Sequence, residues 1–455
     1  MSFVAQGTIM GGVRYSLICT AVSVFLCNAA PSHAEPPTPV EISLKDAIRR
    51  GLDANLDVLV SGGKVAEAQG AHERQLARYL PHARFDTPFA YQSVNIKAQG
   101  IDFPGVPSVV GPFTTWDFRA YADQSIVDLE AYHSIKAAKS DKQASIEDYR
   151  DVRCQVIRLV AGQYLEVQSL LAQTEAVQSR VATSDTLEIL ARDRHDQGVA
   201  TGVDVLRAQV QLANDRQSLL LTRNAVKLSA MALARTIGLP PGTPLQIAEP
   251  LGFKKLRPPE IEEAVTEALM RRGDYRSLAL QRASLEEQIK ASRARYYPRL
   301  VLSGNYGESG QHLGELEPTG AIRIDLLFTI FDLDRSGERR QLDSRLSEVQ
   351  ARLADQRRGI EQEVRGALLN LDSAADQVQV AEDGLGLAQR ELEMASDRFR
   401  NGMADNIEVV NAQDALARAQ QNRIMALTSY ADSKIALARA LGDTELTYRR
   451  FLGIR

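Results

Sequence analysis

The spacing of hydrophobic positions changes along this chain, and the same order of changes occurs twice. From Ser43 the apolar residues fall three and four apart, as on one face of a helix. Ser43-Leu44-Lys45-Asp46 reads as a capping-box start with Asp in place of Glu. Pro81 stops this first segment, and Pro298 stops its counterpart. Alternation follows. Leu300, Leu302 and Tyr306 share a face, as do Ile322, Ile324, Leu326 and Phe328, with Arg323 and Asp325 on the other side. The polar, glycine-rich stretch from Gly307 to Gly320 turns the chain between them. In the first half Phe85, Phe89 and Tyr91 alternate, then Trp116 and Phe118. Helical spacing then returns at length. Ala131 to His195 and Arg335 to Arg400 contain no proline, and each would run roughly 90 Å as a helix. A break at Gly198 or Gly402 precedes a second helical run, back to Gly238 or Gly442. Ile157, Val160, Tyr164, Val167 and Leu171 mark one apolar seam; Val409, Ala412, Leu416 and Ala419 mark another.

The recurrence is a tandem duplication. Arg194-His195-Asp196-Gln197-Gly198 corresponds to Arg398-Phe399-Arg400-Asn401-Gly402, 204 positions on. The same offset relates Ala232-Leu233-Ala234-Arg235 to Ala436-Leu437-Ala438-Arg439. Upstream the offset is 217, relating Ala77-Arg78-Tyr79 and Pro81 to Ala294-Arg295-Tyr296 and Pro298. The first copy therefore carries 13 extra residues between Pro81 and Asp128, in a loop, where insertions cost least. A period near 200 is too long for a solenoid; a complete structural half has been doubled. The predicted layout is a leader at 1–34, a first repeat at 35–239, a Pro-rich linker at 240–260, a second repeat at 261–442 and a tail at 443–455. Within the repeats, β-hairpins fall at about 83–127 and 299–331, and long helical hairpins at about 131–238 and 335–441.

Two hairpins give four strands of about ten residues, the length that crosses a bilayer at a tilt. A closed membrane barrel needs about eight strands or more, because every edge must pair in lipid. Four strands span only if subunits pool them, and three chains give twelve. The predicted fold is thus an α+β membrane protein: tandem long α-helical hairpins packed side by side into a wall or tube, and two β-hairpins per chain pooled between subunits into a transmembrane β-barrel.

Composition agrees with long helices: aromatic residues are only 6%. The net charge of −4 gives no reason to expect nucleic acid. Arg14, the apolar run Tyr15 to Ala30 and Ser32-His33-Ala34 form a secretory signal, with an N-terminal membrane anchor as the alternative. Cys19 and Cys27 lie inside it, and neither Ile18 nor Leu26 is the small residue a lipidation site needs. Cys154 sits in an apolar helical run, as a buried structural thiol does. No HExxH, GxSxG or Walker motif occurs, so the chain is expected to be no enzyme, with neither cofactor nor metal.

Two motifs carry a resemblance. They are Arg194-x3-Gly198-x5-Asp204-Val205-Leu206-x-Ala208-Gln209 and Arg398-x3-Gly402-x5-Glu408-Val409-Val410-x-Ala412-Gln413. With the duplicated order of elements, the chain from about Val40 to Gly442 resembles the TolC family of outer-membrane efflux proteins. That resemblance implies a homotrimer set in outer-membrane lipid of a Gram-negative bacterium, in which the two β-hairpins per chain complete a trimeric 12-stranded transmembrane β-barrel and the long α-helical hairpins form a periplasmic helical barrel. It implies a passive export channel that works with a periplasmic adaptor (membrane fusion) protein and an inner-membrane pump or ABC transporter, for efflux or type I secretion. The periplasmic tips would fall at Gly198, Val199, Ala200 and Gly202, and at Gly402, Met403 and Ala404. Asp204 and Glu408 would ring the pore entrance, with Phe399 and Asn411 as further constriction positions. Asn411 is uncharged where the family commonly has an acid, and Ala404 replaces a gating arginine of its prototype. The alternative for Asp204 and Glu408 is that of helix N-terminal charges favoured by the dipole. The alternative for the whole chain is a periplasmic coiled-coil adaptor or structural protein without a pore.

Overall fold

The structure is a computed structural model. It describes residues 39–100, 104–330, 334–401, 403–404, 406–442 and 444–445. The leader at 1–34, Gly402 and most of the 443–455 tail lie outside these residues.

Each half opens with two short helices where the sequence suggested one. In the first half β1 (Val40–Ile42) leads into α1 (Leu44–Ala54) and α2 (Leu56–Leu76). Ser43 caps α1 by accepting from the Asp46 amide, and its hydroxyl donates to the Asp46 carboxylate at 2.8 Å. Asn55 breaks the pair, leaving the helical region and capping α2 through the Asp57 amide at 2.9 Å. The strands β2 (His82–Asp86), β3 (Phe89–Asn95) and β4 (Val109–Val127) follow. Next come α3 (Leu129–Asp196) and α4 (Gly202–Thr236). The second half repeats the order after β5 (Leu245–Ile247). It has α5 (Ile261–Arg271), α6 (Gly273–Ala294), β6 (Arg299–Gly310), β7 (Glu317–Leu327), α7 (Asp334–Arg400) and α8 (Asn406–Ala440). The Pro-rich linker is irregular apart from β5, which pairs in parallel with β1.

The first β-hairpin differs from expectation. Its outer arm is broken at Thr87-Pro88 into β2 and β3, and both pieces pair with the 19-residue β4. Proline lacks the amide that would continue the ladder. Beyond β4 the sheet continues through β6 to β7, all antiparallel. Among the described residues, β2, β3 and β7 are paired on one side only.

The long helices form a single layer. In the region of the helical hairpins the order is α4–α3–α8–α7, so α4 and α7 are its edges. Nearer the sheet, α6 lies between α3 and α7, and α2 lies against α3. Two cores hold this layer to the short helices, and the duplication persists in them. Val160, Tyr164, Val167, Leu233 and Ile237 are buried in one. Their counterparts Val364, Leu368, Leu371, Leu437 and Leu441 are buried in the other. Gly51 lets α1 approach so closely that a Cβ there would lie 2.7 Å from Val160 Cγ2. Cys154 is buried as expected, and burial pushes its thiol pKa up, which keeps it inert.

Candidate pore entrance and membrane sheet

The two hairpin tips are built alike. The Val199 amide donates to Arg194 O at 2.9 Å, and the Met403 amide to Arg398 O at 2.8 Å. These bonds close the ends of α3 and α7 in the manner of a Schellman turn. Gly198 supplies the left-handed residue that this turn needs, at φ +73°. Val199 and Met403 then stand at equivalent positions, both well exposed (61% and 64%). Gly202 is also exposed, Ala200 and Ala404 are half-buried, and Gly402 lies outside the described residues.

Asp204 and Glu408 occupy matching places but have different partners. Asp204 accepts from the Thr201 amide at 3.0 Å and from the Thr201 hydroxyl at 2.7 Å, and it lies 3.6 Å from Arg207. The Thr201 hydroxyl holds the Asp204 carboxyl below its usual range, aided by the Thr201 amide. Asp204 thus belongs to a capping box at the start of α4. Glu408 instead forms an ion pair with Arg398 at 2.8 Å, across its own turn. Asn411 is exposed on α8.

Phe399 is not at a free surface. It is 3% exposed, packed with Ala395, Val409 and Ala412 against Leu187 and Leu190 of α3. The Arg194 guanidinium stacks 4.5 Å from its ring centroid and donates to its carbonyl. In this chain Phe399 therefore joins the two hairpins, and its side chain is unavailable to a pore lumen. In the sequence Arg194 and Arg398 stand out only as motif residues, and the pattern assigns neither a role. The available signal was an arginine repeated at the same step before both breaks.

The sheet separates apolar from charged side chains by face. Ala83, Ala122, Gly304 and Ile322 are successive partners across β2, β4, β6 and β7. That face also carries Phe85, Phe118, Tyr306 and Ile324. Ile322 and Ile324 are 83% and 70% exposed. The other face carries Arg84, Asp86, Arg119, Asp123, Arg323 and Asp325. Arg119 ties three strands there, reaching Asp117 on β4 at 3.2 Å, Asn305 on β6 at 2.8 Å and Thr319 on β7 at 2.7 Å. Glu308, near the far end of β6, is the charged residue on the apolar face. An exposed face that is apolar along the rest of the strands and backed by a charged one is the pattern of a transmembrane β-barrel wall. Among the described residues no helix is long and apolar enough to cross a membrane.

Known proteins resemble this chain in sequence and in fold. The outer membrane efflux protein family matches residues 109–239 and 264–443. The chain is 26% identical over 313 residues to the pyoverdine export outer membrane protein OpmQ of Pseudomonas aeruginosa, covering 68% of this chain and 65% of that one. It is 22% identical over 477 residues to the probable efflux pump outer membrane protein SepC of Pseudomonas putida, covering 94% and 96%. Among solved structures, the outer membrane protein VceC of Vibrio cholerae superposes with a TM-score of 0.76 at 18% identity, over 88% of this chain and 96% of that one. The outer membrane channel CmeC of Campylobacter jejuni gives 0.78 at 16% identity, over 90% and 89%. The chain belongs to the outer membrane efflux protein family, and its place is the outer membrane.

Proposed function

We propose that three copies of this chain assemble into one passive export channel of an efflux pump. Each copy gives a four-deep piece of sheet to a 12-stranded barrel and four long helices to a periplasmic tube. The observation that carries this reading is the sheet itself. It presents an exposed apolar face and, among the described residues, each of its edges is a strand paired on one side only. Lipid offers no hydrogen bonds to such edges, so in a membrane they must pair with another copy. The helical layer likewise ends in α4 and α7, whose exposed sides include Leu206, Val210, Leu387 and Met394.

The tips would receive a periplasmic adaptor protein, which links the channel to an inner-membrane pump. The exposed apolar pair Val199 and Met403 gives each tip a matched contact, flanked by Ala200, Gly202, Gly402 and Ala404. Asp204, Glu408 and Asn411 would border the entrance, and the two carboxylates would form a ring of six in the trimer. Rings of this kind favour cations. Phe399 would serve the entrance from behind, by fixing one hairpin to the other.

The test is recovery of the chain from outer membranes as a trimer, followed by planar-bilayer recording. Wild-type channels should be cation-selective and blocked by divalent cations, and the double variant D204A/E408A should lose that block. A monomer in the soluble periplasmic fraction would overturn the channel reading. A conducting trimer with unaltered block in the double variant would overturn the carboxylate ring alone.

A further inference from the structure

Where the sheet meets the helices, three segments of the chain line a cavity of about 390 Å³. Small-molecule sites occupy roughly 300–1,000 Å³. The start of α3 supplies Asp128 and Glu130. The turn from α6 into β6 supplies Arg295, Tyr297 and Arg299. The end of β7 and the start of α7 supply Leu327, Phe328 and Arg335. Cations, acids and apolar side chains thus meet at one place.

The charges are not equally committed. Glu130 lies 3.3 Å from Arg295 and 3.5 Å from Arg78, and Arg78 lies 3.7 Å from Asp128. Arg295 also reaches Glu338, at 2.8 Å. Arg335 is buried, with its guanidinium 4.6 Å from the Tyr296 ring centroid. Arg299 is exposed, and among the described residues its side chain has neither an ion pair nor a hydrogen bond. Both acids therefore face cations already, and the Arg299 guanidinium is left over. Arg299 pairs with Leu327 across β6 and β7 and shares the face of Arg323 and Asp325. In a barrel that polar face lines the lumen. The first half does not repeat this cation: the residue 217 positions earlier is His82, which stands opposite Asp123.

We propose that Arg299 anchors the oxyanion of an amphiphilic solute on its way through the channel, with Tyr297, Leu327 and Phe328 against the solute's apolar body. A guanidinium fork meets a carboxylate or a phosphate through two parallel hydrogen bonds. The acids beside it are held by other cations, so the fork stays open to an anion. The apolar walls favour an amphiphile over a bare ion. A trimer holds three such sites, one per copy, at the step from helical tube to barrel. The site rests on the channel reading above and adds a class of solute to it.

Benzoate, with benzyl alcohol as its uncharged counterpart, tests the site on full-length trimer purified in detergent. Isothermal titration should find one benzoate per copy, and benzyl alcohol should not displace it. R299Q should weaken binding by roughly tenfold or more, as loss of a charge-assisted fork does. R299K keeps the charge without the fork, and its affinity should fall between the two. R323Q removes a cation from the same face outside the cavity and should bind as wild type does. Should R299Q fail to assemble, the R299K trimer decides, and affinity equal to wild type overturns the site. A wild-type trimer that takes up no benzoate, or one that R323Q weakens as much as R299Q, overturns it too. Displacement by benzyl alcohol would reveal an apolar patch, and displacement by inorganic phosphate at equal concentration a bare oxyanion site; either overturns the proposal. A wild-type chain found as a soluble monomer overturns the channel reading, and the transit role with it.

Discussion

Arg194 stacks its guanidinium 4.5 Å from the ring centroid of Phe399, on the other hairpin. Its repeat counterpart Arg398 turns instead to Glu408 in its own hairpin, at 2.8 Å. One ancestral position now has two jobs: Arg194 joins hairpin to hairpin, and Arg398 braces a single turn. The difference follows from the partners. Phe399 matches His195, which is exposed on its own turn and offers no buried ring to the other hairpin. Loss of the joint should loosen the tip. R194A should remove about 0.5–2 kcal/mol of cation–π attraction. Because the contact holds the tip without touching the barrel, we expect larger or more frequent openings in planar bilayers, with trimer yield unchanged. F399L keeps most of the packing and should have a smaller effect than F399A. Identical recordings from wild type and R194A would show that the contact is decorative.

The Thr201–Asp204 capping box gives the entrance a dependence on pH. The folded state holds the Asp204 carboxyl below its usual range, chiefly through the Thr201 hydroxyl. The stabilisation is therefore present above the ordinary aspartate range and is lost as pH falls through the depressed value. T201A should cost about 1 kcal/mol of local stability at neutral pH. Amide exchange at the start of α4 would report it. Exchange there should quicken in wild type on acidification and be nearly pH-independent in this respect in T201A. The reverse order would contradict the cap.

Much of this architecture was legible because it was written twice. Pro81 and Pro298, Gly198 and Gly402, and the even-numbered apolar positions of β6 and β7 are local signals of backbone and period. They located α3, α7 and the sheet to within a few residues. Breaks that depend on tertiary contact were less visible. Asn55 was readable in principle as a cap. Arg272, at the equivalent break, is not a capping type; it is held there by Asp274 at 2.6 Å and by Glu363 of α7. The division of the first outer arm at Thr87-Pro88 had a proline to announce it. The pairing of both pieces with one long β4 is a long-range fact that spacing alone does not contain. The burial of Phe399 was hidden for a related reason: nothing in its local pattern tells a joint from a lumen position, because that depends on which helix lies beside it.

The apolar face of the sheet makes a sharper demand than hydrophobicity alone. Ile324 is 70% exposed, at the level where Leu302 is its partner on β6. Arg323 and Asp325 flank it in sequence but point to the charged face. I324K should therefore be costly although its neighbours are charged, by about 2–4 kcal/mol if it lies near the bilayer midplane. Exchanging Arg323 for Lys should be nearly silent. Comparing folded trimer recovered from outer membranes for the two variants gives the answer. Equal recovery would mean that this face does not meet lipid.

Arg439 near the end of α8 lies 2.7 Å from Asp151 of α3, and it ties the two halves together away from the tip. Gln155 also donates to Asp151, at 2.7 Å. Burial raises the Asp151 carboxyl above its usual range, and Arg439 opposes that rise. R439A leaves the carboxylate buried without this cation, a change that costs about 3–5 kcal/mol when a buried pair is broken. The sign with pH is opposite to that at Asp204. An acid whose folded pKa is raised binds its proton more tightly in the folded state, so stability is present at low pH and lost as pH rises through the raised value. R439A should therefore unfold at a lower temperature than wild type at neutral pH, and the gap should narrow on acidification. D151N/R439A should recover most of the loss, because the uncompensated charge is gone. A gap that widens in acid, or a double variant no more stable than R439A, would show that Arg439 acts through its packing and not through Asp151.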